Sequence, residues 1–274
     1  MGTSHRHKPS VMGNPNWGNA SADITRLTGA VEESDRLEDN PPADKTPQQI
    51  AERQSILGKR ITAGYHRAVR DLVRGAGGRN KVSSGGSRAI GHAGIAVFGN
   101  FVSVVNEIAN NGLSEWLRRK GQSLEGKSCK DIIGIIRQYI ETGIAGLDET
   151  AANQALECVL DMLGEKLGDD IASFDKVMNA IVTGDELKDM LDLFFGMYVY
   201  VHLSQDFEEK LEYEKGSDVM RSAMDEIKDQ IIDDIQRARG GRSAASIDWS
   251  KPEGDDFIKS EFNRILFILQ GNED

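Results

Sequence analysis

The chain has 274 residues, 39% of them hydrophobic and 28% charged, which is the composition of a globular protein and excludes a collagen-like or purely disordered chain. Its 33 Lys and Arg residues against 44 Asp and Glu residues give a formal charge of −11, so the surface as a whole does not attract nucleic acid. Two cysteines, Cys129 and Cys158, are too few for a disulfide framework and predict free thiols in a reducing cytoplasm. No apolar run is long enough to span a membrane, and no apolar signal-peptide core follows Met1, so we expect neither secretion nor membrane insertion.

Residues 1–45 are rich in Gly, Pro and polar side chains, with an acidic patch between Glu32 and Asp39. Because such a stretch buries too little apolar surface to offset the entropy of ordering it, we predict a flexible, mostly disordered N-terminal arm over residues 1–45. The segment Thr46-Pro47-Gln48-Gln49 then has the hydroxyl, proline and glutamine pattern of a helix start. We expect the folded domain to cover residues 46–274.

Within that domain, apolar residues recur every three or four positions, as they do between Ile90 and Ile108, which is the period of an amphipathic helix. Alternating strand patterns are scarce. Further helices are predicted to begin at Ser128, Asp148, Thr183, Ser217 and about Gly254. The sequence therefore predicts an all-α, multi-helix, bundle-like domain.

Basic residues are concentrated between Arg53 and Arg88, where nine Lys and Arg face the single acid Asp71. This segment carries a net charge of +8, which leaves −19 for the rest of the −11 chain. Together with the glycine-rich connector at 75–88, it could bind the phosphates of a nucleic acid or a nucleotide. The candidate residues are Arg67, Arg70, Arg74, Arg79, Lys81 and Arg88. Solvated helix faces, or pairs with the acidic helices, explain the same pattern.

Residues 121–128, GQSLEGKS, match the phosphate-binding pattern G-x-x-x-x-G-K-[ST]. In such a loop the backbone at Gly126 would approach the phosphates, Lys127 would meet the terminal phosphates, and Ser128 would hold Mg²⁺. The buried strand that must lead into such a loop is missing, because residues 113–120 are amphipathic and polar. The alternative is a plain helix start, in which Ser128 caps the helix and Asp131 completes a capping box.

No pattern of catalytic or metal-binding residues is evident. The five histidines lack ligand spacing, and the acidic runs contain no recognisable pair of catalytic carboxylates. His202 and Asp206 lie close in sequence, but local adjacency is not the geometry of a catalytic triad. We therefore predict no catalytic residue, no metal and no cofactor.

The first residues offer one reactive group. If Met1 is removed, as is usual before a small residue, Gly2 exposes an unhindered α-amine whose pKa of about 8 leaves roughly a tenth of it neutral and nucleophilic at pH 7. A 45-residue arm could extend on the order of 150 Å and carry this amine into the pocket of another protein.

Five segments carry distinctive patterns: residues 1–4 with their polar tail, 64–69, the glycine-rich stretch 85–94, 124–128 and 147–156. Together they resemble the QatB component of the bacterial Qat phage-defence cassette. The resemblance implies a helical, non-enzymatic subunit that acts with an ATPase, a QueC-like enzyme of the QatC type and a TatD-like nuclease. Because QueC enzymes use ATP to convert a 7-deazaguanine carboxylate to a nitrile, it also implies that such a partner would join a base of this type to the Gly2 amine. For residues 124–128 it implies a helix start.

Three hypotheses remain open from the sequence. The leading one is a cytoplasmic α-helical defence-complex subunit that docks to the QueC-like partner and presents Gly2 for modification. The second is a P-loop nucleotide hydrolase that uses Lys127 and Ser128. The third is a nucleic-acid-binding module that uses the basic residues between Arg67 and Arg88.

Overall fold

A computed structural model describes residues 15–141, 146–238, 240, 242–249 and 251–272, with the backbone alone described for residues 15–17. The all-α prediction is confirmed, because this part of the chain contains eleven α-helices, two 3₁₀ turns and no strand. The α-helices are α1 (Pro15–Asp39), α2 (Pro47–Gly75), α3 (Arg79–Ser83), α4 (His92–Asn111), α5 (Leu113–Arg119), α6 (Cys129–Ile140), α7 (Leu147–Leu167), α8 (Phe174–Thr183), α9 (Glu186–Lys215), α10 (Ser217–Arg237) and α11 (Pro252–Leu269). The 3₁₀ turns are Ile171–Ser173 and Ala244–Ser246. None of these helices combines the length and the apolar character needed to cross a membrane.

The prediction of a flexible arm is wrong for residues 15–39, which form the 25-residue helix α1. Ala20, Ile24, Leu27 and Val31 of this helix are buried against the rest of the protein, and α1 packs along α2 and α10. Their spacing of four, three and four residues is that of one helix face, so α1 does bury an apolar stripe. The helical domain therefore begins at Pro15 rather than at residue 46, and residues 1–14 lie outside the described part of the chain.

Most of the predicted helix starts are confirmed. The Thr46 hydroxyl accepts a hydrogen bond from the Gln49 backbone N–H at 3.3 Å, while the Gln49 side chain accepts one from the Thr46 N–H at 2.9 Å. This reciprocal pair satisfies two backbone donors that the first turn of a helix cannot satisfy by itself. Helices α6, α7, α10 and α11 begin within two residues of the predicted positions.

The helix start predicted at Thr183 is displaced. Thr183 is the last residue of α8, and α9 begins three residues later, after Gly184 and Asp185. The Asp185 carboxylate does not cap α9; it accepts hydrogen bonds from the Ser243 hydroxyl at 2.6 Å and the Ala244 N–H at 3.1 Å. The Asp185 side chain therefore fixes the turn before α11 instead of capping α9.

Helix α9 occupies the centre of the fold and packs against α7 and α10, with further contacts to α8, α11 and α4. It is buried around most of its circumference, as expected for a helix surrounded by others. An aromatic cluster forms where α9 meets α4 and α11. In it, the rings of Phe195 and Phe262 stack at 4.1 Å, and the rings of Phe98 and Phe194 lie 5.1 Å apart. This packing places Tyr198 and His202, further along α9, beside the first turns of α4 and α7.

Candidate functional sites

The most densely bonded buried polar group is Asp148, in the first turn of α7, with an exposure of only 5%. The Ala93 N–H donates to its Oδ2 at 2.8 Å, and the Gly91 N–H donates to its Oδ1 at 3.3 Å. From α9, the Tyr198 hydroxyl donates to Oδ1, and His202 Nε2 lies 3.1 Å from the same oxygen. Because a carboxylate only accepts, Nε2 of His202 must carry the proton in this contact.

The Asp148 carboxylate is held in its charged form. Burial alone would raise the pKa of Asp148, but the hydrogen bonds from His202, Tyr198 and the Ala93 N–H outweigh burial and leave the pKa below its ordinary value. Burial and the nearby Asp148 charge raise the pKa of the Tyr198 hydroxyl well above its ordinary value, so Tyr198 stays a proton donor. Helix α4 has no side-chain cap of its own, and Asp148 supplies that cap from another helix. These hydrogen bonds join α4, α7 and α9, and both oxygens of the Asp148 carboxylate accept hydrogen bonds from within the protein.

Two glycines allow this close approach. Gly91 has φ +111°, and a Cβ there would lie 2.1 Å from the Val82 carbonyl oxygen. At Gly94 a Cβ would lie 2.8 Å from the Tyr198 ring. The glycine-rich stretch 85–94 and the segment 147–156, which both carry the resemblance seen in the sequence, therefore meet at Asp148. The sequence marked Asp148 only as a helix start, because its partners lie 50 or more residues away along the chain.

The residues of the phosphate-loop pattern form a helix start. The Ser128 hydroxyl accepts the Asp131 N–H at 3.2 Å, and the Asp131 carboxylate accepts the Ser128 N–H at 2.8 Å, which is a capping box at the first turn of α6. The Ser128 hydroxyl and backbone N–H lower the pKa of Asp131. The Lys127 N–H donates a hydrogen bond to the Leu124 carbonyl at 3.2 Å, which closes a turn in which Gly126 has φ +74°. Helix α5 stands where a phosphate-binding loop needs a strand, so no feature of the described residues favours nucleotide binding here.

Four of the six basic candidates are used inside the protein. On α2, Arg67 donates to Asp23 of α1 at 3.0 Å, Arg70 donates to the Gln270 carbonyl at 2.6 Å, and Arg74 lies 3.5 Å from Asp71.

On α3, the Arg79 guanidinium lies 4.7 Å from the centre of the Phe267 ring. Lys81 and Arg88 are exposed and have no ion pair within the described part of the chain. Among the described residues, no contact joins the six in a single phosphate site, and Arg67, Arg70 and Arg74 pair with groups of the protein itself.

A second buried network, which the sequence analysis missed, joins α9 to α11. Arg264 donates to Asp192 and to Glu261, each at 2.6 Å, and Lys188 donates to Asp192 at 3.0 Å. Burial raises the pKa of Asp192, and the charges of Arg264 and Lys188 oppose this effect. The signal was present as opposite charges three and four residues apart on two helices, but their mutual contact is tertiary. Such a network fixes how α11 docks.

Other chemistry-bearing residues form no evident reaction centre. The described residues contain no group of three or more His, Cys, Asp and Glu side chains that could hold a metal ion. Cys129 and Cys158 are free thiols, as predicted, and burial raises the pKa of both, which lowers their reactivity. Gly2, the predicted modification site, lies outside the described residues.

Comparison with known proteins gives one family. A family model described as "Qat anti-phage system associated protein QatB" matches residues 83–269, about two thirds of the chain. No curated protein and no solved structure matches. The matched region includes the segments 85–94, 124–128 and 147–156 and therefore the whole Asp148 site, whereas α1 and α2 lie before it.

Proposed function

Because this chain belongs to the QatB family of Qat anti-phage system associated proteins, we propose that it is a non-enzymatic, cytoplasmic subunit of that system. In this role its helical body docks to a QueC-like partner of the QatC type, and Gly2 is presented to that partner for conjugation to a 7-deazaguanine-type base. The ATPase and the TatD-like nuclease of the cassette are further candidate partners.

The observation that carries this proposal is the family match over a helical body in which the buried carboxylates Asp148 and Asp192 are bonded to groups of neighbouring helices. Asp148 is engaged through both of its oxygens, and Asp192, Glu261 and Arg264 form a closed network. A general acid or base needs access to a substrate proton, and these groups are occupied by helix contacts. The arrangement supports a scaffold that supplies a surface and a terminus, while the chemistry belongs to the partner.

The start of α1 at Pro15 sharpens the proposal. Gly2 lies 13 residues before Pro15, the first residue of α1, and a segment of that length spans at most about 50 Å, a third of the reach expected for a 45-residue arm. The body must therefore dock with Pro15 within about 50 Å of the partner's reaction centre. At that centre the neutral Gly2 amine would attack the carboxyl carbon of an ATP-activated base. An amide bond forms, the activating group leaves, and the amine nitrogen loses a proton.

Intact-mass measurement after coexpression with the other Qat proteins tests the proposal. We expect a mass gain in the wild-type chain and none in a Gly2→Pro variant, whose terminal amine is secondary and hindered. Equal thermal stability of the two proteins is the control for folding. A wild-type chain that gains no mass beside an active partner would contradict the proposal.

A further inference from the structure

A groove of about 600 Å³ runs between α1 and α2, the two helices that precede the matched family region. Its lining residues are Arg26, Leu27, Gly29, Ala30 and Glu33 of α1 and Ile56, Lys59, Arg60, Ala63 and Arg67 of α2. Other residues of these helices hold the hairpin to α10: Ser222 donates to Asp35 at 2.6 Å, and Thr62 donates to Gln230 at 2.9 Å. The groove therefore belongs to a face of the hairpin that α10 leaves open.

The groove is long enough, and its base is lined by small enough residues, to accept a helix. On α2 the lining positions Ile56, Arg60, Ala63 and Arg67 follow one another at intervals of four, three and four residues, with Lys59 beside them, so they share one face over about 16 Å, or three helical turns. Small residues, Gly29 and Ala30 on α1 and Ala63 on α2, let another backbone come close, and among the described residues no atom of another helix lies within 4 Å of where a Gly29 Cβ would be. Ile56 is 46% exposed, which is high for a large apolar side chain.

The rim of the groove is positive. Lys59 and Arg60 are exposed and make no hydrogen bond or ion pair in the described part of the chain. Arg26 and Arg67 share a single carboxylate, Asp23, at 3.2 and 3.0 Å, and their side chains remain 73% and 47% exposed.

The one acid that lines the groove is already neutralised. Glu33 accepts hydrogen bonds from Arg53 at 2.6 to 2.8 Å, so it cannot balance the four cations of the rim. This uncompensated charge stands out on a chain whose net charge is −11.

We propose that this groove is a docking site for an acidic amphipathic helix of a partner protein. The apolar face of that helix would cover Ile56, Ala63 and Gly29, completing a three-helix packing arrangement. Its flanking Asp and Glu side chains would pair with Lys59, Arg60 and the exposed parts of Arg26 and Arg67.

Charge and surface chemistry favour this occupant over others. The chain's own residues 1–14 include Arg6 and Lys8 and no acid, so the positive rim repels them. A nucleic acid would use the cations but would gain little from an aliphatic floor, and the groove has no aromatic side chain on which a base could stack. The inference goes beyond the proposed function, because it requires neither Gly2 nor its modification.

Photo-crosslinking in the assembled Qat complex tests the groove. A photoreactive p-benzoylphenylalanine replaces Ile56, and in a control protein it replaces Tyr213 of α9, which is 91% exposed and does not line the groove. Crosslinked peptides are identified by mass spectrometry. We expect the Ile56 probe to capture an acidic, helical segment of another subunit, and the Tyr213 probe to leave that segment unlabelled.

A charge reversal adds specificity to the test. The double variant Lys59→Glu/Arg60→Glu should lower the yield of that crosslink at least about tenfold. The matched double variant Lys130→Glu/Lys176→Glu changes the net charge equally at exposed positions that do not line the groove, and it should leave the yield unchanged. Equal melting temperatures of the two variants would show that folding is intact.

The inference is overturned if the Ile56 probe captures nucleic acid, a second copy of this chain or a basic segment. It is also overturned if the yield does not exceed that of the Tyr213 probe, or if both charge reversals lower the yield alike. Mass gain at Gly2 is measured separately. A groove without a partner beside a modified Gly2 would refute this inference alone, and a captured acidic helix beside an unmodified Gly2 would refute the proposed function alone.

Discussion

Replacing Asp148 by Asn should destabilise the fold strongly, because the carboxylate is the common acceptor of four donors. If the amide oxygen of the new side chain takes the place of Oδ1, it keeps Gly91, Tyr198 and His202 as donors. The amide NH₂ then faces the Ala93 N–H, which loses its acceptor at the start of α4. An unsatisfied buried donor costs about 1–3 kcal/mol, and the other three bonds lose their ionic character. We expect the free energy of unfolding to fall by about 3 kcal/mol.

Urea unfolding at pH 7, followed by circular dichroism, measures this loss. Glu149→Gln is the matched control, since it removes one carboxylate from the same first turn of α7 without touching the buried network, and it should cost no more than about 0.5 kcal/mol. The pKa of Asp148 is lower in the folded protein, so its charge stabilises the fold above the unfolded pKa and ceases to do so as the pH falls through the folded pKa. The difference between the variant and the wild type should therefore shrink in acid. If Asp148→Asn costs no more than Glu149→Gln at pH 7, Asp148 does not organise the three helices.

Three further perturbations test the packing and the buried charges. Ile24→Ala should lower the free energy of unfolding in urea by about 3 kcal/mol because Ile24 is buried, whereas Ile56→Ala at an exposed position should lower it by less than about 1 kcal/mol. Equal losses in the two variants would mean that α1 is not packed against the protein. Gly91→Ala should lower the free energy of unfolding by more than about 3 kcal/mol, because φ is +111° and the new Cβ would lie 2.1 Å from a backbone oxygen. Gly134→Ala, at an open position in a helix, is the control and should leave the free energy of unfolding unchanged or raise it. A Gly91→Ala protein as stable as the wild type would refute the close approach at Gly91. Burial raises the pKa of Asp206 to about 6, so its folded form binds an extra proton between about pH 4 and pH 6 and stability falls as the pH rises through that window. Asp206→Asn should therefore raise the melting temperature at pH 8, by the equivalent of about 1–2 kcal/mol, and not at pH 4; a gain at both values would exclude titration as the cause.

The helical class and most helix starts could be predicted because they depend on local chemistry. The capping boxes at Thr46 and Ser128 join residues three positions apart, so the sequence shows both partners. Helix α1 was hidden by the glycines and prolines at and near its ends, although the spacing of Ala20, Ile24 and Leu27 follows one helix face. The polar, glycine- and proline-rich composition of residues 1–45 predicted disorder, whereas the apolar periodicity that indicates a helix covers only the 25 residues of α1.

The buried networks could not be predicted, because their partners are brought together only by folding. Asp148 meets groups from α4 and α9, and Arg264 meets Asp192 from 72 residues away. The basic segment shows the same difficulty. Its charge was evident from the sequence, but whether Arg67 or Arg70 faces solvent or another helix depends on how α2 packs against α1 and the end of the chain.

Modification of Gly2 can be read from the mass of the N-terminal proteolytic peptide, taken from the chain isolated together with its Qat partners. We expect the peptide beginning at Gly2 to carry an added nucleobase-derived mass and the peptides from the helical body to carry none. An unmodified Gly2 peptide beside a catalytically active QueC-like partner, or an added group on a side chain of the body, would contradict this expectation.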